Sequence, residues 1–318
     1  MAYTTRFVGL DISKSSLDVC LLPDEERASF PNTVEGCANL VTFLASLAAT
    51  ERVILEPTGG YERLAVAALQ AAGLPVAKVN ARQVRQFARA CGQLSKTDSI
   101  DAFVLADYGR RMHTRILPER SAQSVLLAQL VLRYRQLSHM IVQEKNRREK
   151  LTGGEADTLS RDWIEQTLHF LCGQRQTVVD EMAACLKADA DLAAKAEVLM
   201  SLKGIGMRTA CFLLADLPEL GLIEKAQIAK LVGVAPLNRD SGQMRGKRMI
   251  AGGRGPIRDA LYVAALSAIR FEPAIRAFNA NLRNRGKPGK LAIVAVIRKI
   301  VVILNARMRD HLTKTLAA

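Results

Sequence analysis

The chain has 318 residues, of which 49% are hydrophobic, and a formal net charge of +14. That apolar content excludes a disordered chain, and the length leaves room for two domains or for one domain with an appendage. The charge is uneven: residues 1–113 hold 12 Lys/Arg against 12 Asp/Glu, residues 114–195 hold 12 against 11, and residues 196–318 hold 21 against 8, so the last third alone carries +13. A basic field so concentrated implies a polyanionic partner, with nucleic acid ahead of an anionic membrane surface.

In chain order, residues 6–12 and 17–22 are two apolar runs joined by Ser13 to Ser16, the pattern of a hairpin, and a third, weaker strand is expected near Ala28 to Phe30. A helix follows over about Glu35 to Leu47, then a strand that ends at Glu56 before a Pro-Thr-Gly-Gly turn. A helix from about Tyr61 to Ala72 and a strand from Pro75 to Asn80 come next. Three antiparallel strands followed by alternating helix and strand is the ribonuclease-H order.

Residues 122–195 contain no proline and few glycines. Ile164, Leu168, Leu171, Val178, Met182 and Cys185 recur at alternating four and three spacing. Leu126, Leu130, Tyr134, Leu137 and Ile141 form a matching stripe before the break at 152–155, so two long helices in an antiparallel hairpin or coiled coil are expected. From about Glu197 onward lies a mostly helical region with glycine-rich basic loops. The expected division is therefore 1–113, 114–195 and 196–318.

Four carboxylates fall where a ribonuclease-H-like fold needs divalent-metal ligands. Asp11 interrupts the first apolar strand, Glu56 closes another, and Asp98 and Asp101 stand three apart at the start of a helical pattern, hence on one face. Clustered carboxylates repel one another unless a cation sits among them, and hard oxygen donors suit Mg²⁺ or Mn²⁺. Two such ions stabilise both the attacking and the leaving oxygen of a phosphoryl transfer. Taken singly, each acid also reads as a plain structural residue: Asp98 as a helix cap, Glu56 as a strand end before Pro57.

In the basic third, Lys203-Gly204-Ile205-Gly206-Met207-Arg208 precedes an apolar helix. A Gly-x-Gly turn at a helix N-terminus exposes amides to a phosphate oxygen, as in helix-hairpin-helix DNA binders, although the same turn also serves as an ordinary helix connector. Farther on, Ser241 sits in an Asp-Ser-Gly turn flanked by Arg239, Arg245, Lys247, Arg248, Arg254 and Arg258. A serine attacks phosphate only if a base or a metal removes its proton and cations stabilise the developing charge. The cations are abundant, but none of the four histidines is near in sequence. On its own the loop reads more readily as a phosphate clamp whose serine belongs to a turn than as a catalyst.

Together, Asp11, Glu56-Pro-Thr-Gly, Lys96-Thr-Asp98-Ser-Ile-Asp101-Ala, Gly204-Ile-Gly206 and Gly233-Val-Ala-Pro236 through Ser241-Gly242 resemble the DEDD transposases of bacterial insertion-sequence family one-ten, which include the Piv-like DNA invertases and the bridge-RNA-guided recombinases. The resemblance covers essentially the whole chain, with five motifs in order. It implies a RuvC-like N-terminal domain, a coiled-coil connector and a C-terminal transposase domain. It further implies that Asp11, Glu56, Asp98 and Asp101 bind Mg²⁺ and that Ser241 is a nucleophile joined to DNA through a phosphoserine. Donor and target DNA, a guide RNA from the element, and a homodimer or homotetramer in which Ser241 of one subunit completes the acidic site of another also follow from the resemblance alone.

Three other readings remain open on the residues themselves: a metal-dependent nuclease or junction resolvase in which water attacks, a nucleic-acid-binding protein whose carboxylates are caps, and a sugar-kinase-like ATPase suggested by Asp11 after a glycine. The six scattered cysteines lack C-x-x-C spacing and imply a reducing compartment without a zinc site. The N-terminus lacks the long apolar core of a secretory signal, and the apolar stretch from Leu291 to Leu304 is interrupted by Arg298 and Lys299. A cytoplasmic bacterial protein, associated with the nucleoid when acting, and without a membrane partner, is expected.

Overall fold

The computed structural model describes residues 5–47, 50–93, 98–151, 153–237, 240–241, 244–246 and 248–317. The chain divides into two compact units, Met1–Glu119 and Arg120–Ala318.

The first unit is a five-stranded sheet with helices on both faces. Its elements run β1 (Arg6–Ile12), β2 (Ser16–Leu22), β3 (Glu26–Pro31), α1 (Val34–Ala45), β4 (Thr50–Leu55), α2 (Arg63–Ala71), β5 (Val76–Lys78), α3 (Ala81–Ala90) and α4 (Asp98–Arg111). The sheet order is β3-β2-β1-β4-β5, with β1, β2 and β3 antiparallel and β4 and β5 joining β1 in parallel. This is the expected ribonuclease-H-like α/β topology.

Side-chain alternation along the strands divides the residues between two cores. Val8, Leu10 and Ile12 of β1 join Leu17, Val19 and Leu21 of β2 and Val53 and Leu55 of β4 in a cluster with Leu40 and Leu44 of α1 and Ala65 and Leu69 of α2. The alternate positions face the other way: Phe7 and Ile54 pack with Val84 and Ala88 of α3 and Val104, Leu105 and Tyr108 of α4. Asp11 is in phase with Phe7, and Glu56 is in phase with Ile54. Both acids therefore belong to the face that α4 covers.

Glycine sets how closely α4 lies on that face. A Cβ at Gly9 would come within 1.9 Å of the Ala102 carbonyl oxygen and 2.5 Å of the Ala106 amide nitrogen. At Gly109, on the helix itself, a Cβ would meet the Ile54 Cδ1 at 2.2 Å. The helix backbone thus rests directly on β1, and its partner Ile54 fills the space left by the missing side chain of Gly109.

The second unit is helical. It contains α5 (Ala122–Glu149), α6 (Glu155–Ala188), α7 (Ala190–Met200), α8 (Met207–Asp216), α9 (Lys225–Val232), four two-residue strands β6 (Pro236–Leu237), β7 (Asp240–Ser241), β8 (Met244–Arg245) and β9 (Met249–Ile250), then α10 (Gly255–Phe271), α11 (Pro273–Asn284) and α12 (Gly289–Ala317). Helices α5 and α6 form the expected antiparallel hairpin: Cys185 lies against Gln123 at one end, and Arg148 bonds Glu165 at 2.9 Å toward the other. Leu137, Ile141, Leu168 and Leu171 make a separate cluster near that second end. Leu127, Val131, Met182, Cys185 and Leu186 merge into the main helical core with α7 to α12.

The buried stripe of α5 departs from the sequence expectation in its first turns. Leu127 and Val131 are buried, whereas Leu126 is exposed. Here α5 packs on α8 as well as α6, so its buried face rotates away from the pure two-helix seam. Down the centre runs α12, with Val296, Ile297, Ile300, Val301 and Leu304 nearly inaccessible. Among the described residues no helix is long and apolar enough to cross a membrane.

The glycine contacts give a testable ranking. Gly9→Ala forces backbone against backbone and is expected to cost about 2 to 3 kcal/mol in urea unfolding. Gly109→Ala is expected to cost less, because a flexible Ile54 side chain yields and alanine restores up to about 1 kcal/mol of helix propensity.

Candidate active site

The ladder between β1 and β4 pairs Leu10 with Leu55, so the next residues along the two parallel strands are Asp11 and Glu56. Neighbouring strands lie about 4.8 Å apart, which sets the two carboxylates side by side at the C-terminal ends of the strands. Both are half-buried. The Ile12 amide donates to the Asp11 Oδ1 at 3.1 Å. Asp101 is a half-buried residue in the first turn of α4, just before Ala102, whose carbonyl faces Gly9. It lies on the stripe that continues through Leu105 and Tyr108 into the core between α3 and α4. Asp98 opens α4 one turn earlier, and its side chain lies outside the described residues.

Asp11 and Glu56 thus lie on the sheet face that α4 covers, and Asp101 lies in the first turn of that helix. Carboxylate oxygens at such a place fit a hard divalent cation. Among the described residues, no three acidic, histidine or cysteine side chains form a ready-made metal cluster.

Two supports of this site were not singled out from the sequence. Asp18 of β2 is the cross-strand partner of Asp11 and shares its face. Its two carboxylate oxygens accept from the Ser16 hydroxyl at 2.9 Å and the Ser29 hydroxyl at 2.7 Å, which holds this further acid across the strand from Asp11. Glu62, only 6% exposed, organises the loop that follows Glu56. One of its oxygens accepts from the Thr58 amide (3.2 Å), the Thr58 hydroxyl (3.0 Å) and the Gly60 amide (2.9 Å), and the other accepts from Lys78 at 3.0 Å. Burial alone would push the Glu62 carboxyl up, but the Lys78 ammonium and the amides outweigh it and pull it down to about 2. The signal was present in the spacing of Glu56 and Glu62 around Pro-Thr-Gly-Gly, but only the fold identifies Lys78 as the counter-ion.

In the second unit, Ser241 is exposed on a short antiparallel ribbon. Pro236 and Leu237 pair with Ile250 and Met249, and farther along Asp240 and Ser241 pair with Arg245 and Met244. Arg239 and Lys247 lie outside the described residues, as does the side chain of Arg245. Arg248 is exposed on the same ribbon.

The two remaining arginines act at its root. Arg254 forks onto Glu219, both contacts at 2.6 Å, and also donates to the Asp216 carbonyl at 2.7 Å. Arg258 donates to the Gly252 carbonyl at 2.9 Å and the Gly233 carbonyl at 3.4 Å. There the glycines are obligatory: Gly233 and Gly253 both have positive φ, and a Cβ on Gly253 would come within 2.3 Å of the Gly233 nitrogen.

The Gly204-Ile-Gly206 turn caps α8. Gly204, at φ +105°, lies against α10, where a Cβ would approach the Ala268 nitrogen to 2.7 Å, whereas Gly206 has open space around its α-carbon. Gly204 is thereby explained by packing. Gly206, Arg208, Thr209 and Ser267 line a shallow hollow at the helix start. Lys203 is exposed beside it, and Arg208 donates to the Tyr134 hydroxyl at 3.1 Å.

Comparison with known proteins gives a consistent picture. Residues 8–152 match the family model described as a DEDD-type IS110 transposase, and residues 196–280 match the model described as transposase of the IS116/IS110/IS902 family. The pilin gene-inverting protein of Moraxella lacunata is 26% identical over 315 residues, 96% of each chain. An uncharacterized 43.6 kDa protein of insertion element IS110 from Streptomyces coelicolor is 29% identical over 140 residues, 42% of this chain and 35% of that one. Among solved structures, RuvC of T. thermophilus in complex with a Holliday junction substrate is 15% identical, with a TM-score of 0.29, over 36% of this chain and 99% of that one.

Two predictions follow from the geometry. Because its folded-state value is depressed, Glu62 contributes its stabilisation fully above its ordinary value of 4.5 and loses it as pH falls toward about 2. Glu62→Gln should therefore destabilise the protein by on the order of 2 kcal/mol at neutral pH, with the gap to wild type closing below pH 4.5 in thermal melts. Arg254→Ala should lower the melting temperature without altering the salt dependence of DNA binding, whereas Arg248→Ala should do the reverse, reducing the slope of log K against log salt by about 1 in fluorescence anisotropy.

Proposed function

This chain belongs to the IS110-type transposases, and on that premise we propose that it cuts and rejoins DNA strands by divalent-metal-dependent phosphoryl transfer through Ser241. The observation that carries the reading is the pairing of two features. One is the pair of carboxylates Asp11 and Glu56 on adjacent strand ends of a ribonuclease-H-like unit, on the face covered by the helix that opens with Asp98 and Asp101. The other is a serine exposed on a basic ribbon in the second unit.

Asp11, Glu56, Asp98 and Asp101 would hold the cation, Mg²⁺ or Mn²⁺, through hard oxygen donors. A divalent ion bound there supplies charge neutralisation for the phosphate and for the oxygens that attack and leave. The residues of the chain do the rest. Glu62 keeps the loop after Glu56 closed, so that this ligand does not depend on a mobile turn. The Ser241 oxygen forms a bond to phosphorus while the bond from phosphorus to one strand oxygen breaks; the serine proton passes to a base, and the departing strand oxygen is protonated. The DNA is left joined to the protein as a phosphoserine ester. Attack by a strand hydroxyl on that ester reverses the exchange of bonds, and a new strand is joined.

Exposed ribbon arginines such as Arg248 suit the negative charge of the phosphate, whereas Arg254 and Arg258 fix the ribbon at its root. By the family resemblance, Ser241 of one subunit completes the acidic site of another within a dimer or tetramer, and a guide RNA encoded by the element selects donor and target DNA.

Trapping on denaturing gels tests the reading. Wild-type protein with its cognate DNA and Mg²⁺ is expected to give a covalent adduct. Ser241→Ala should abolish that adduct with DNA binding retained, and Asp11→Asn should abolish strand cleavage altogether. Cleavage that survives in Ser241→Ala would make water the attacking group and the protein a metal-dependent nuclease.

A further inference from the structure

The nine Lys and Arg residues between Glu272 and Asp310 form a stretch without a single acidic residue. Among the described residues, the only carboxylate within ion-pair distance of any of the nine is Glu224, 3.8 Å from Arg309. Elsewhere the basic side chains of this unit are partly neutralised: Arg254 by Glu219, Arg135 by Asp216 and Lys195 by Asp191. Within the stretch between Glu272 and Asp310 the basic residues are densest at the corner between α11 and α12, where Arg283, Arg285, Lys287 and Lys290 fall within eight residues and all are exposed.

The backbone of this corner is closed. The Gly286 amide donates to the Arg283 carbonyl at 2.9 Å, the Lys287 amide to the Leu282 carbonyl at 3.1 Å, and the Arg283 guanidinium to the Lys287 carbonyl at 2.7 Å. Gly286, at φ +74°, supplies the left-handed residue that ends α11. Pro288 and Gly289 then start α12, which has no acidic residue in its first turn. Lys287 and Lys290 therefore stand at the positive end of a 29-residue helix. Cations at that end are unfavourable to the helix, and among the described residues no acid pairs with them. A bound polyanion would remove the penalty. No Phe, Tyr, Trp or His occurs between Phe278 and His311, so the corner offers no ring on which an unpaired base could stack.

We infer that the α11–α12 corner is a second DNA-contact surface, separate from the Ser241 ribbon, that grips the phosphate backbone of duplex DNA through Arg285, Lys287 and Lys290. The contact is independent of sequence, because phosphate oxygens carry no base identity. It rests on DNA being the substrate of this family and not on Ser241 being the nucleophile. In the reaction it would hold a duplex arm while strands are exchanged elsewhere.

The test uses the full chain carrying Arg285→Gln, Lys287→Gln and Lys290→Gln together. Affinity for a labelled duplex oligonucleotide is measured by anisotropy over a series of NaCl concentrations. The expected result is a slope of log K against log salt shallower by about 2 to 3, since each lost phosphate contact removes about 0.9. The melting temperature should hold or rise, because cations are removed from a helix end that disfavours them. An unchanged slope overturns the inference. So does an equal loss for a single-stranded oligonucleotide or RNA, which would deny the duplex preference, or a loss seen only with phosphatidylserine vesicles. Ser241→Ala in parallel should keep the wild-type slope whether or not it abolishes adducts, so failure of the serine reading stays distinguishable from failure of this one.

Discussion

The direct seating of α4 on β1 is the contact on which the candidate metal site depends. Gly9 has no side chain, so the backbone of Ala102 and Ala106 rests on the strand, and Gly109 admits Ile54 in the same way from the helix side. With any larger residue at Gly9, α4 would have to move outward, and its acidic first turn with it. The positions of Asp11 and Glu56 follow from the β1–β4 register, and the placement of the first turn of α4 follows from this packing. Two glycines that carry no functional group therefore set how closely the acidic first turn of α4 approaches the strand that bears Asp11.

In the second unit the same positive residue type does two different jobs, and what decides is the presence of an acid within reach. Arg254 is held by Glu219 and a backbone carbonyl, and Arg258 by two carbonyls, so both stiffen the root of the ribbon. Arg285, Lys287 and Lys290 are exposed on a closed turn and pair with no carboxylate among the described residues, so their field is directed at solvent and at whatever anion approaches. Net charge alone does not separate these roles. A side chain whose charge is already neutralised within the protein contributes order, and one left unneutralised contributes attraction.

Much of the first unit was legible before any coordinates. The alternation of Val8, Leu10 and Ile12 around Asp11, the apolar run into Glu56, and the three-residue spacing of Asp98 and Asp101 each reported a local geometry with a fixed period. The long helices α5 and α6 were legible for the same reason. Their buried face was misread near Leu126 because a third helix, α8, packs there, and periodicity within two helices carries no information about a third. Glu62 and Lys78 were invisible as a pair, being 16 residues apart on different elements, and Asp18 became part of the acidic face only through its pairing with Asp11.

The sequence by itself determined the strand and helix order, the positions of the acids along the chain, and the concentration of positive charge in the last third, because these depend on local spacing and composition; the transposase family was recognised by resemblance to known proteins. Tertiary structure decided which arginines are spent on the fold, that Ser241 stands on an exposed ribbon, that a buried Glu62 closes the loop behind Glu56, and that an unneutralised basic corner lies between α11 and α12. Those outcomes turn on burial and on contacts between different elements, such as Arg254 with Glu219 and Glu62 with Lys78. A linear pattern does not encode them, since burial and charge pairing exist only once the chain has closed on itself.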